Sequence, residues 1–131
     1  MINLYPTKCN LCGGEVIYTT NDKIYGKPYG SGYCYLCTKC GAYVGTHVHR
    51  TKQALGILAN KDMRLMKMKC HELFDRLWSN QKSRDKAYGW LADKMGIEKR
   101  YCHFGYFDLQ QLEQAYEILE NVMFVNEEGG S

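Results

Sequence analysis

"CYLCTKCGAYVG", residues 34–45, carries cysteines at positions 34, 37 and 40. A tetrahedral metal site takes two of them, and the choice decides the fold. The comparison lies upstream, where "CNLCGG" at residues 9–14 is a Cys-x2-Cys pair followed at once by Gly13. Only one register of the later stretch repeats it: Cys37-Thr38-Lys39-Cys40-Gly41 matches position for position, whereas Cys34-Tyr35-Leu36-Cys37 runs into Thr38. Two thiolates this close in sequence bite one ion only if the chain curls tightly. A glycine after the second cysteine permits the positive-φ turn that aims backbone N–H groups at sulfur. The spacing therefore predicts one structural zinc ion per chain, held by Cys9, Cys12, Cys37 and Cys40. Cys34 is left out.

Around the two knuckles the first fifty residues read as a β ribbon. "EVIYTT" after the first knuckle is β-branched and aromatic, "NDKIYGKPYGSG" is turn chemistry, "YCYLC" enters the second knuckle, and "AYVGTHVH" leaves it as a further strand. The 24 residues between the knuckles exceed the common spacing, at little cost because loop-closure entropy grows only logarithmically with length.

Beyond residue 50 the pattern becomes helical. Asn60 is placed to cap a helix whose apolar stripe is Met63, Met66, Cys70, Leu73, Phe74 and Leu77. A second helix is expected from near Ser83 to Gly96, a natural C′ residue. A third starts at Asp108, with Gln111 completing a capping box, and buries Leu109, Leu112, Ala115, Tyr116 and Leu119. The expected fold is α+β: a four-cysteine zinc ribbon of short antiparallel strands at residues 1–50, packed with a segment of about three helices at 51–125 as one folding unit, and a flexible tail at 126–131. The stretch "WLADKMGI" suggests a helix-turn-helix, but twelve residues replace the tight turn and the next helix is acidic, so that motif is rejected.

The chain has 131 residues with 45% hydrophobic composition, enough for a small core. Neither a leader-like segment nor an apolar run of membrane-spanning length is evident, which points to the cytoplasm and to no membrane partner. Seven cysteines in that compartment read as metal ligands plus buried thiols. The formal charge is +3, but residues 1–100 hold all 17 Lys and Arg against 8 of the 14 acids. Four thiolates on one divalent ion add about −2, so the loaded protein is nearly neutral and charge alone does not imply a polyanion binder.

"CNLCGG…YLCTKCGAYVGTH", "LGILANKDMRLMKMKCHELFDRLW" and "AYGWLADKMGI…CHFGYFD" together resemble a phage and bacterial family, the zinc-finger-containing domain, over about residues 7–120. The resemblance implies the same four cysteine ligands and a phage or prophage setting; within that setting there is a similarity to zinc-binding anti-CRISPR proteins. It implies a host or defence protein as partner, with an RNA-guided CRISPR effector nuclease as the sharpest expectation.

A four-thiolate site is closed to water and substrate, so its ion stabilises the fold and is not a Lewis acid for catalysis. His47 and His49, two apart on an expected strand, and His103 in an aromatic loop are the residues a metal-dependent hydrolase would use. His71 sits beside the apolar stripe. None has a placed carboxylate, serine or cysteine partner in a recognisable motif, and the expectation is a protein without catalytic residues. Direct nucleic-acid binding is the alternative: Tyr25, Tyr29, Tyr33, Tyr35 and Tyr43 interleave with Lys23, Lys27 and Lys39, although some of these rings must cover the ribbon's own core. Polarised charge favours docking on a protein, with Arg64 and Lys67 as candidate binding residues for that reading, and Tyr29 and Tyr33 are the candidates that direct nucleic-acid binding would use.

Overall fold

The computed structural model describes residues 2–129, with the side chains of 124–129 outside the described set. It forms two compact units, Met1–Lys61 and Asp62–Ser131.

The first unit is a three-stranded antiparallel sheet in the order β1-β2-β3: β1 is Val16–Thr20, β2 Tyr33–Cys37 and β3 Tyr43–Gly45. β1 pairs with β2 from Val16 opposite Cys37 to Thr20 opposite Tyr33, and β2 with β3 from Cys34 opposite Gly45 to Leu36 opposite Tyr43. The stretch expected to be only a turn contains a one-turn helix, α1 (Asp22–Tyr25), closed by Gly26 at φ 77°. Its return loop is held by the buried Asn21, whose side chain donates to the Tyr29 carbonyl (2.6 Å) and accepts from the Tyr29 amide (3.1 Å). Asn10 does the same to Leu58, at 3.0 Å in each direction, and ties the segment after β3 to the first knuckle. Each amide side chain reproduces the paired bonds of a β bridge where no strand runs.

The expected strand through His49 stops early. β3 ends at Gly45, Thr46 makes a single bridge to Ala54, and His47–Arg50 bend away. His47 and His49 therefore lie in a loop and share no strand face. A bond from the Arg50 amide to the His47 carbonyl (3.3 Å) turns the chain there and ends the strand.

The second unit holds α2 (Lys61–Phe74), α3 (Gln81–Met95) and α4 (Leu109–Gly129). The α2 stripe buries Met63, Cys70 and Phe74; its last predicted member, Leu77, ends a short 3-10 turn. α3 begins at Gln81, near the expected Ser83, with Asn80 as its cap: Asn80 Oδ1 accepts from the Ser83 amide and Ser83 Oγ accepts from the Asn80 amide. Gly96 at φ 72° stops the helix as its position predicts. α4 opens on the expected capping box, with Gln111 N–H donating to Asp108 Oδ1 at 2.8 Å and Asp108 N–H to Gln111 Oε1 at 3.0 Å. The aromatic loop before it is structural: Phe104 and Phe107 are fully buried, with Phe104 edge-on to Phe74 and to Phe107. Of the tail anticipated at 126–131, residues 130 and 131 lie outside the described residues, and α4 runs to Gly129.

Candidate metal centre

The four knuckle cysteines converge. Their sulfurs all lie within 4.8 Å of one another, with Cys9 Sγ 3.7 Å from Cys40 Sγ and Cys12 Sγ 3.5 Å from Cys37 Sγ. The edge of a sulfur tetrahedron around zinc, with bonds of about 2.3 Å, is about 3.8 Å. The spacing fits that geometry and not a pair of disulfides, whose sulfurs would sit about 2 Å apart.

The backbone explains how the sulfurs are held. In each knuckle the residue two past a cysteine aims its amide at that cysteine: Leu11 N–H to Cys9 Sγ and Gly14 N–H to Cys12 Sγ, both 3.3 Å, and Lys39 N–H to Cys37 Sγ at 3.4 Å. Ala42 serves Cys40 in the same way. The turn that permits this is the glycine after each pair, with Gly13 at φ 74° and Gly41 at φ 81°, each donating to the carbonyl four residues back. Each loop then closes on itself, Cys9 N–H to the Gly14 carbonyl (2.9 Å) and Cys37 N–H to the Ala42 carbonyl (2.8 Å). The two knuckles are thus equivalent in bonding as well as in sequence.

Four thiols this close cannot all ionise without a cation among them. The Cys40 amide, working against burial and joined by the Lys39 amide and the neighbouring thiols, brings Cys37 down to about 6. Cys40, although the Ala42 amide pulls it down, is pushed up to about 12 by burial and by its contacts with the other three. A divalent soft metal placed among the four sulfurs would stabilise the thiolate form of its ligands. The donor set fits a structural zinc ion held by Cys9, Cys12, Cys37 and Cys40.

Cys34 stands apart: it is 1% exposed in β2, opposite Thr19 and Gly45, and burial raises its thiol. Cys70 and Cys102 are likewise buried, pushed up to about 12 and about 11 by desolvation. All three are protonated at neutral pH. His71 and His103 belong to the second unit, where desolvation holds both below the ordinary imidazole range. His71 lies edge-on to Phe104 and His103 to Tyr106. Among the described residues no thiolate is paired with either ring.

Among the candidate binding residues, Tyr29 and Tyr33 are 68% and 37% exposed. Arg64 and Lys67 lie half-buried on α2, and burial together with Arg64 lowers the Lys67 pKa. One residue of the centre escaped sequence reasoning. A Cβ on Gly14 would stand 2.7 Å from Lys39 Cβ, 3.1 Å from Cys37 Sγ and 3.2 Å from Cys12 Sγ. The doubled glycine in "CNLCGG" was the available signal.

No curated protein and no solved structure matches the chain. A family model described as a zinc-finger-containing domain matches residues 5–122. That match takes in both knuckles and all the helices but the end of α4, and with it the chain belongs to the zinc-finger-containing domain family.

Proposed function

We propose that the protein is a non-catalytic, zinc-stabilised binding protein that docks on a protein partner through the tyrosine-rich surface of its ribbon. The observation that carries this is the grouping of exposed rings. Tyr18, Tyr25, Tyr29 and Tyr33 are between 37% and 68% exposed, yet they are not scattered. Tyr18 stacks on Tyr33 with centroids 5.3 Å apart, Tyr25 meets Tyr29 at 5.3 Å, and a hollow of about 170 Å³ lined by Tyr25, Tyr29, Tyr33 and Tyr43 joins the two pairs. Tyrosine offers large amphipathic contact area at low entropic cost, and such clusters mark the energetic centres of interfaces.

Three features support the absence of catalysis. The sulfur ligands fill a tetrahedral ion's positions, the remaining thiols are buried acids, and the four histidines are divided between a loop of the first unit and aromatic contacts in the second. On the resemblance to a phage and bacterial family, the partner proposed is a host or defence protein, and an RNA-guided DNA nuclease is the first bait to try. That choice rests on the resemblance alone.

The same rings support a second reading, a nucleic-acid-binding ribbon, because Lys23 and Lys27 flank them in sequence and bases stack on exposed tyrosine. One experiment separates the two. Wild type and the Tyr29→Ala/Tyr33→Ala double variant are titrated with single-stranded DNA at several salt concentrations and used in parallel to capture partners from host lysate. Docking on a protein predicts DNA dissociation constants of about 10–100 μM at physiological salt, little changed in the variant, and loss of the captured protein. Sub-micromolar, tyrosine-dependent DNA binding establishes the second reading instead.

A further inference from the structure

The first turns of α3 and the segment Lys99–His103 enclose a cleft of about 550 Å³ whose walls include Arg84, Asp85, Tyr88, Lys99, Arg100 and His103. Three cations against one carboxylate is an unusual lining for a cavity of that size. Arg84 is the telling member. Among the described residues it has no carboxylate partner; its guanidinium lies 4.9 Å from the centroid of Tyr88 and 5.6 Å from that of Trp78, with Nη2 donating to Tyr88 Oη at 3.3 Å. The group lies against two rings and, among the described residues, makes no ion pair within 4.0 Å. Lys99 and Arg100 do have partners, Asp85 at 2.5 Å and Glu98 at 2.6 Å, but both pairs are largely exposed and therefore cheap to rearrange. A planar guanidinium fixed by stacking matches the two-oxygen edge of an oxyanion, which a point charge does not.

We propose that this cleft binds the phosphoryl group of a free, mononucleotide-sized ligand, with Arg84 as the principal contact, Lys99 and Arg100 beside it, and the exposed His103 ring next to the ligand's base. The volume falls in the range of small-ligand sites. The cations converge on one cavity, whereas a protein that tracks a strand lays them along a groove. The site lies wholly in the second unit and is independent of the tyrosine surface.

The test uses the full zinc-loaded chain at physiological salt. Inorganic phosphate, adenosine monophosphate and a ten-nucleotide oligothymidylate are titrated by calorimetry and by amide chemical-shift mapping. The expected result is that the mononucleotide shifts amides of residues 81–88 and 99–103 and binds more tightly than phosphate. Arg84→Gln should weaken it by about tenfold or more, as loss of a charge-assisted bidentate contact does. Arg84→Lys should not restore it. Arg100→Gln, at an exposed position, guards against misfolding of the Arg84 variants and should weaken binding severalfold. Shifts elsewhere, or mononucleotide affinity unchanged in both Gln variants, overturn the proposal. So does an oligonucleotide that binds the same residues more than tenfold tighter than the mononucleotide, since the cleft would then serve a strand.

Discussion

Replacing Gly14 by alanine tests whether the two knuckles are locked against each other as the structure describes. Gly14 has no positive φ, so the substitution is not strained through its backbone; the conflict is the contact at 2.7 Å with Lys39 Cβ and at 3.1 and 3.2 Å with the Cys37 and Cys12 sulfurs. A Cβ is not the mobile end of a side chain. To relieve the clash the second knuckle must move, and two ligand sulfurs move with it. Overpacking of this kind costs about 1–3 kcal/mol, which corresponds to a loss of zinc affinity of about 5- to 150-fold if all of it falls on the loaded state.

Gly13→Ala is the contrasting variant. Its φ of 74° makes alanine unfavourable by about 1–2 kcal/mol, but the added methyl meets nothing within 4 Å. Zinc affinity is read by competition with a chromophoric chelator, and ligand geometry by the thiolate and d–d bands of the cobalt-substituted protein. Gly14→Ala should weaken binding and alter the cobalt spectrum; Gly13→Ala should lower stability while leaving the spectrum as in wild type. A Gly14→Ala protein with wild-type affinity and an unchanged spectrum would refute the packing argument.

Cys40→Ser should abolish zinc binding and unfold the ribbon, since structural zinc contributes on the order of 10 kcal/mol, whereas Cys34→Ser should retain one zinc per chain by metal analysis. Cys70 and Cys102, with folded-state values of about 12 and about 11, give stability that is whole below the ordinary thiol range near 9 and drains as pH rises above it. The urea midpoint of helix unfolding should therefore fall between pH 8.5 and roughly 10.5, and the fall should shrink in the Cys70→Ala/Cys102→Ala protein if burial of these thiols causes it. Asn10→Ala removes both bonds to Leu58 and leaves buried backbone groups unpaired; it should cost about 1–3 kcal/mol of ribbon stability in chemical denaturation, against almost nothing for Asn3→Ala.

The metal centre was legible because its chemistry is local. Two cysteines and a glycine within five residues state a turn, two ligands and the direction of the amides, and the repeat of that unit selected Cys37 and Cys40 over Cys34. Helix ends were legible for the same reason at Gly96 and at Asp108–Gln111. What escaped depends on partners distant in sequence. Asn21 read as part of a turn and Asn10 only as a position within the first knuckle, and only the fold shows that they stand in for β bridges to Tyr29 and Leu58. "CHFGYFD" read as a loop, although Phe104 and Phe107 are core. The Arg84 cleft gathers cations from a helix and from a turn fifteen residues later, and no periodicity joins them. His47 and His49 failed in the opposite sense: alternation suggested a strand face that the bend at 47–50 removes.

The exposure of the tyrosines follows from the zinc. The buried cluster of the first unit is Cys9, Val16, Tyr35, Cys37, Ala42, Val44, Ala54 and Leu58, in which only Tyr35 and Leu58 are large. A unit of 61 residues with so small an apolar core would be marginal by burial alone. It would ordinarily have to turn its aromatic rings inward. Here two of the cluster's members are metal ligands, and the ion supplies stability of a size that several buried aromatic side chains would otherwise have to provide. Tyr25, Tyr29 and Tyr33 are thereby spared from filling the core and stand at the surface, while Tyr18 bridges from the buried Tyr35 to the Thr51 carbonyl. On this argument, substituting Tyr29 and Tyr33 should leave the ribbon's stability nearly intact while weakening the proposed docking, whereas substituting any of Cys9, Cys12, Cys37 or Cys40 should remove stability and docking together.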